Sequence, residues 1–387
     1  MNDGTGKRKR VFEVLHCIAL EPQSLVFHDG VMTSITHTAA GETDRPFTGP
    51  GLIDLQVNGV NGIDFNNPCI SVPEIVEATH YLLSQGVTTF FPTVITNTEH
   101  HLITILSTIR EACLSNPLVN DCIGGIHLEG PFISPEPGAK GAHEVKYIRA
   151  PDWALFTKFQ EAAGGKIKLT TLAPEWEGSA AFIEKCRQDG ILVSIGHSMA
   201  NSEQVRMAID AGASLSTHLG NAVPLLLPRH PNIIWDQLAA EELYACIICD
   251  GLHIPDSFIK VVIRTKGAAT LLVSDATCFT GKPPGEYENH IGGTVILDEE
   301  KRLSLKSAPG LLAGAARTLL ENVEYLIKRK ITTPPEIWQM ASANVAAMLR
   351  KNDLTIDVEN DLVIFRLVEN RIGIEQVIKK GVIVYES

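Results

Sequence analysis

Eight short apolar runs recur between residues 51 and 276, and most of the gaps between them have helical character. They are GLIDLQV (51–57), GVTTFFPTV (86–94), CIGGIHL (122–128), IKLTTLA (167–173), ILVSIGH (191–197), LSTHL (215–219), LYACIIC (243–249) and TLLVSDA (270–276). Near-continuous Val, Ile, Leu and Thr suits strands covered on both faces, as in a parallel sheet, whereas a sheet with one wet face alternates apolar and polar residues. In the gaps, PEIVEATHYLLSQ (73–85), PDWALFTKFQEAA (151–163) and NSEQVRMAIDAG (201–212) read as helices, the last capped by Asn201 ahead of Glu203 and Gln204. Eight strand-helix units predict an α/β fold, a (β/α)8 TIM-like barrel of ~250 residues. Beyond Asp275 the chain should hold loops and a closing helix, LLAGAARTLLENVEYLIKR (311–329).

The ends differ in kind. Residues 1–48 and 354–387 carry short β-like pieces, RVFEVL, SLVFH, DLVIFRL and QVIKKGVIVYE, separated by turn residues. They are expected to join as a small β-sandwich domain beside a barrel spanning 49–353, since chain termini often lie close together. With 387 residues and 44% hydrophobic content, the chain can fill both cores.

A net charge of −12 gives no support for a broad electrostatic grip on nucleic acid or on an anionic membrane surface. The basic run Lys7 to Arg10 reads as a solvated N-terminal tail. No segment approaches the ~20 apolar residues of a spanning helix and no leader pattern opens the chain, so a cytoplasmic location is expected. The eight cysteines are scattered through apolar segments as small buried hydrophobes, unlike the disulfide framework of a short secreted domain. Cys246 and Cys249 spell C-x-x-C, but on a strand an i,i+3 pair faces opposite sides and cannot share one metal.

In such a barrel the chemistry gathers where strands end at the C-terminal face, so residues distant in sequence converge there. Those ends carry Gln56 and Asn58, His127 and Glu129, His197, His218, Asp250 and His253, and Asp275. Side-chain alternation puts His127 and Glu129 on one face where Gly130 and Pro131 halt the third strand. Glu129, His197 and His218 supply one carboxylate and two imidazoles, the three-ligand pattern of a catalytic metal site with open positions. Such an ion lowers the pKa of a bound water toward ~7 and polarises a carbonyl. Asp275 can carry a proton as general base and then general acid, or cap the following segment or serve as another ligand.

GLIDLQVNG, HLEGPFISPEPGAKGAH, SIGHSMAN, THLGNAVP, CDGLHI, VSDAT and LLAGAARTLLENV occur in this order. On these motifs nearly the whole chain resembles the N-acetylglucosamine-6-phosphate deacetylases of the amidohydrolase superfamily. The resemblance implies a metal-dependent barrel, usually a homodimer, that cleaves acetate from the 2-amino group of the sugar phosphate. It places metal ligation on Glu129, His197 and His218 and the acid-base role on Asp275, with His143 hydrogen-bonded to the acetamide oxygen. Ala139, Asn221, Ala222 and His253 would meet the substrate, and Arg229 matches an arginine that binds phosphate across the dimer interface. Gln56, Asn58 and His127 would support the site as loop or outer residues. Two-metal relatives carry His-x-His where this chain has Gln56-Val57-Asn58, so a single divalent ion is expected, Zn2+ ahead of Fe2+, Mn2+ or Co2+.

The chain departs from the family pattern in places. Gly220 stands where a bulky or aromatic residue is usual, Val223 replaces Met, Ala315-Ala316 follows LAG in place of serine, and Asn344-Val345 replaces Asn-Pro. Losing an aromatic wall at Gly220 is expected to enlarge the pocket, and misfits of this kind shift discrimination by ~1–3 kcal/mol. Two other readings remain: a related amidohydrolase acting on another N-acyl compound, and a catalytically silent binding homologue, which would leave so much buried charge without a use.

Overall fold

The computed structural model describes residues 8–39, 44–289, 293–352, 354 and 360–387. Each of the eight apolar runs coincides with a strand of one parallel sheet, two of the strands reaching one residue past their run: Leu52–Val57, Val87–Ile95, Ile126–Glu129, Ile167–Leu172, Leu192–Ile195, Leu215–Ser216, Tyr244–Ile247 and Thr270–Leu272. They are hydrogen-bonded in sequence order. The seam between the first and eighth closes the barrel through a parallel bridge from Val57 to Ala276, the Asp275 N–H donating to the Gln56 carbonyl at 3.0 Å, and the Ser274 N–H donating to the Asp54 carboxylate at 3.1 Å. The helices expected between strands form at Val72–Ser84, Trp153–Ala162 and Ser202–Ala211, where Asn201 and Gln204 make a reciprocal capping box.

The barrel interior is layered. Strand starts contribute Leu169, Leu192, Leu215 and Leu271 to an apolar cluster that also takes Val345, Met348 and Leu349 from the last helix, Ala343–Lys351, which stoppers that end. Above it the inward residues turn polar. His127 Nε2 meets Thr171 Oγ1 at 2.8 Å, Thr171 Oγ1 meets Thr217 Oγ1 at 2.7 Å, and Thr217 Oγ1 donates to Ser194 Oγ at 2.6 Å. Between the sheet and its helices lies the larger core, with Phe90, Phe132, Phe156 and Phe159 fully buried. Cys246 and Cys249 fall into the interior and the outer cluster respectively, so the strand does separate them.

The chain ends form the small β unit together, but with a different topology from the sandwich expected. Strands Lys9–His16, Pro22–His28, Val31–His37, Phe47–Pro50, Leu362–Val368, Arg371–Lys379 and Val382–Glu386 hydrogen-bond in one closed ring around Val14, Leu25, Phe27, Ile364 and Ile378. Lys7 lies outside the described residues. Arg8 to Arg10 do not form a tail: Lys9 and Arg10 open the first strand, and the Arg10 guanidinium pairs with Glu386 of the last.

The closing helix is shorter than expected. It runs Leu319–Arg329 from the Thr318 cap, and the residues before it belong to a four-stranded antiparallel sheet, Gly285–Asn289, Gly293–Leu297, Leu303–Leu305 and Ala308–Leu312, inserted after the eighth strand. Its strands are short and its apolar face small, around Val295, Leu297, Leu303 and Leu305, which is why no strand period stands out there.

Candidate active site

Glu129, at the end of the third strand, is 2% exposed and meets both imidazoles: His197 Nε2 lies 3.1 Å and His218 Nε2 3.2 Å from its Oε1. The two ring nitrogens are themselves 3.1 Å apart. His197 Nδ1 lies 2.9 Å from the Ala139 carbonyl, which can only accept, so the proton sits on Nδ1 and Nε2 turns a lone pair inward. Nitrogens facing each other beside a carboxylate repel unless a proton or cation lies among them. Donors bound at ~2.0–2.2 Å to one tetrahedral ion sit roughly 3.3 Å apart, close to this triangle, so the donor set fits a divalent metal. His143 also falls within 4.8 Å of Glu129 and His197, but its Nδ1 is taken by Thr96 Oγ1 at 2.8 Å. The tighter Glu129, His197 and His218 triangle is therefore the better ligand set.

Backbone geometry marks the same places. His197, His218 and Asp275 have φ of +49°, +29° and +51°, a left-handed region that side chains occupy only when the surroundings hold them there. Ser134 N–H donates to the His197 carbonyl, and Glu175 grips the following turn through Ser198 Oγ at 2.6 Å and the Met199 N–H at 3.0 Å.

Gln56 and Asn58 act as bridges between carboxylates. Gln56 Nε2 lies 3.1 Å from both Glu129 oxygens and from Asp275 Oδ1, and Asn58 Nδ2 donates to Asp275 Oδ1 at 2.7 Å. Since carboxylates only accept, the NH2 ends of both amides must face inward. Burial, then the Glu129 charge, pushes Asp275 up to about 6. Burial also resists ionisation of Glu129, but hydrogen bonds and charge from His197 and His218 outweigh it and hold this carboxyl well below its ordinary value. Burial pushes His143 down to about 3 and His127 down to about 4, so both are neutral near pH 7. His127 lies one layer below, with Nδ1 3.2 Å from the Leu55 carbonyl.

These groups open on a cavity of about 330 Å³ lined by Asn58, Glu129, His143, His197, His218, Asn221, Ala222, His253 and Asp275. His253 is oriented by Asp250, whose Oδ2 lies 2.8 Å from its Nδ1 and whose Oδ1 accepts the Leu252 and His253 N–H groups. Two expected substrate contacts lie elsewhere. Ala139 is fully buried with its carbonyl taken up by His197, and Arg229 is exposed, outside the cavity lining. At Gly220 the expected extra room is filled: a Cβ there would lie 2.8 Å from Phe258 Cε1, so an aromatic ring from the helix Asp256–Lys266 takes the space. At Ala315 the backbone does the work, its N–H donating to the Asp275 carbonyl at 3.0 Å.

Sequence reasoning missed Thr96, Glu175 and the inserted sheet, which brings Arg302, Leu305 and Leu311 into the cavity wall. A threonine closing an apolar strand, as Thr96 does, was the one available signal.

No protein-family model matches the chain. The N-acetylglucosamine-6-phosphate deacetylase of Bacillus subtilis is 33% identical over 81% of this chain and 79% of its own length. The N-acetylgalactosamine-6-phosphate deacetylase of a Shewanella species is 30% identical over 84% of this chain and 82% of its own. The crystal structure of the N-acetylglucosamine-6-phosphate deacetylase of Thermotoga maritima superposes with a TM-score of 0.82 at 27% identity, covering 98% of this chain and all of that one. With a closed barrel, a Glu-His-His triangle at its mouth and an adjacent aspartate, this chain belongs to the N-acetylglucosamine-6-phosphate deacetylase family of the amidohydrolase superfamily.

Proposed function

We propose that the protein hydrolyses the acetamide of N-acetyl-D-glucosamine 6-phosphate, releasing acetate and glucosamine 6-phosphate. The observation that carries this reading is the meeting of Glu129, His197, His218 and Asp275 at one end of the barrel, in a cavity within the ~300–1,000 Å³ range of small-molecule sites. A single divalent ion, Zn2+ ahead of Fe2+, Mn2+ or Co2+, held by Glu129, His197 and His218 would acidify water and polarise the acetamide carbonyl. Asp275 takes a proton from the attacking water as the new C–O bond forms. It returns that proton to the sugar nitrogen as the C–N bond breaks, so the amine leaves neutral together with acetic acid, which then gives up the second water proton to the amine or to solvent and ends as acetate. Gln56 and Asn58 hold its carboxylate on the cavity side. His143 offers an N–H to the acyl oxygen, where negative charge develops.

Asn221, Ala222 and His253 line the part of the cavity where the sugar would lie. Arg229 reads as a residue lent to a second copy. It lies on an exposed segment with Leu225 and Leu226, 68% and 91% exposed, and near Trp235 at 50%, an apolar surface suited to a homodimer. The barrel is the catalytic domain and the terminal β unit its companion; because the strand Phe47–Pro50 pairs within the terminal ring, the boundary between them falls after residue 50 and not at the expected 48/49. All eight cysteines are unpaired, which suits a reducing compartment such as the cytoplasm.

Because a relative named for the galactose epimer is as similar as several named for the glucose epimer, the sugar is the point to test. Acetate release should be measured with N-acetylglucosamine 6-phosphate, its galactosamine counterpart and unphosphorylated N-acetylglucosamine. The highest kcat/KM is expected on the first. Preference for the second would reassign the epimer, and equal rates with and without phosphate would remove the phosphate from recognition.

A further inference from the structure

Thr96 follows the second barrel strand and is 3% exposed; its Oγ1 lies 2.8 Å from His143 Nδ1, itself a residue 4% exposed. The space for that hydroxyl exists because residue 130 is glycine: a Cβ there would lie 2.2 Å from Thr96 Oγ1, and the φ of +86° is one that side chains avoid. Among the described residues His143 is the hydroxyl's sole recorded partner. That allows the proton on the ring to be located by accounting.

If Nδ1 were the donor, the Thr96 O–H would be a buried donor with no acceptor, which costs far more than an unused lone pair on the same oxygen. If the hydroxyl donates, Nδ1 is the acceptor and nothing is stranded. A neutral imidazole that accepts at Nδ1 carries its proton on Nε2. His143 lines the cavity, and Nε2 is the nitrogen left to serve it.

We propose that Thr96 is a positioning residue that holds His143 as the Nε2–H tautomer, so that this histidine presents a hydrogen-bond donor to the acyl oxygen of the substrate. The inference rests on the deacetylase reading above. The opposite tautomer would aim a lone pair at an oxygen gaining negative charge, and the interaction would change from attraction to repulsion. Thr96 touches neither substrate nor the ligand triangle in this account; it acts only through the ring.

The test uses the full-length protein with Thr96→Val, which keeps the shape and removes the donor, and Thr96→Ser, which restores it. Two readouts are needed: acetate-release kinetics, and long-range 1H–15N spectra of 15N-histidine-labelled protein, with the His143 signal identified by its absence in His143→Asn. The expected result is Nε2–H at His143 in the wild type and in Thr96→Ser. In Thr96→Val the Nδ1 lone pair loses its donor, so the Nδ1 signal should move downfield to that of an unbonded lone pair and the ring lose its anchor, with kcat down roughly tenfold or more and KM within about twofold, a smaller loss than the ~10²–10³ for deleting an oxyanion donor outright. A wild-type ring protonated at Nδ1, or a folded Thr96→Val with unchanged kcat, overturns the proposal. Should the wild type release no acetate, the function proposed above fails instead, and the tautomer spectrum still decides whether Thr96 sets the ring.

Discussion

Single residues at the cavity divide into those that carry charge and those that aim it. Burial and Glu129 lift Asp275 to about 6 while two amides keep it fixed, which suits the proton transfer proposed for it. Its working form is the carboxylate, so kcat/KM should fall as pH drops through its folded value. A bound cation favours the ionised form, so in the loaded enzyme this limb should lie below about 6. A profile that rises on acidification would contradict this. Gly141 is a second sensitive point: a Cβ there would lie 3.1 Å from His197 Cε1 at a φ of +55°. Gly141→Ala should therefore weaken metal retention more than thermal stability, checked by metal content after dialysis against a chelator; wild-type retention would refute it. The convergence of Glu129, His197 and His218 was legible beforehand because each stands at or just past the end of a barrel strand, and those ends gather at one face. Thr96 was not, because a threonine just past an apolar strand marks a position but not its partner, which is 47 positions away.

At the scale of elements, the eight strands were readable since parallel strands buried on both faces need continuous apolar residues. The inserted sheet was hidden for the opposite reason. GEYEN and APGLL bury little, and the apolar LLAGAA reads as the start of a helix until Thr318 supplies the cap. The barrel seam holds a feature with a measurable consequence. Asp54 is 1% exposed, accepts the Gln56 and Ser274 N–H groups through Oδ1, leaves Oδ2 without a partner, and is pushed by burial up to about 7. Unfolded, an aspartate titrates near ~3.9, so between about pH 4 and pH 7 the folded chain binds the extra proton, and stability is lost as pH rises across that window. The effect amounts to up to about 4 kcal/mol. Asp54→Asn should flatten the decline in urea-unfolding free energy between pH about 5 and pH about 8; an unchanged slope would show that Asp54 does not titrate there.

At the scale of the whole molecule, the terminal sheet meets the barrel at a buried lysine that is ion-paired within its own unit and hydrogen-bonded across to the barrel. Lys379 of the terminal unit, 2% exposed, lies 2.5 Å from Asp361 and also donates to Thr89 Oγ1 of the catalytic barrel at 3.2 Å. Removing one partner strands a buried charge, so Lys379→Ala should cost ~3–5 kcal/mol of stability and leave kcat per folded molecule unchanged. A loss of turnover without a loss of stability would place the terminal unit in the chemistry. Leu226→Asp should likewise separate copies of the chain, read by light scattering, and raise KM for the phosphorylated sugar if Arg229 reaches a neighbour. A monomeric wild type would remove that role.

The central claim is that Glu129, His197 and His218 hold one divalent ion beside an aspartate that moves the proton. The most direct measurement pairs metal content with acetate release from N-acetylglucosamine 6-phosphate, in the wild type and in Asp275→Asn. The wild type should carry one ion per chain and turn over; Asp275→Asn should keep its ion and lose ~10²–10⁴-fold in kcat. An Asp275→Asn enzyme that keeps its ion and works at the wild-type rate, or a wild type fully active after its metal is stripped, would contradict the account.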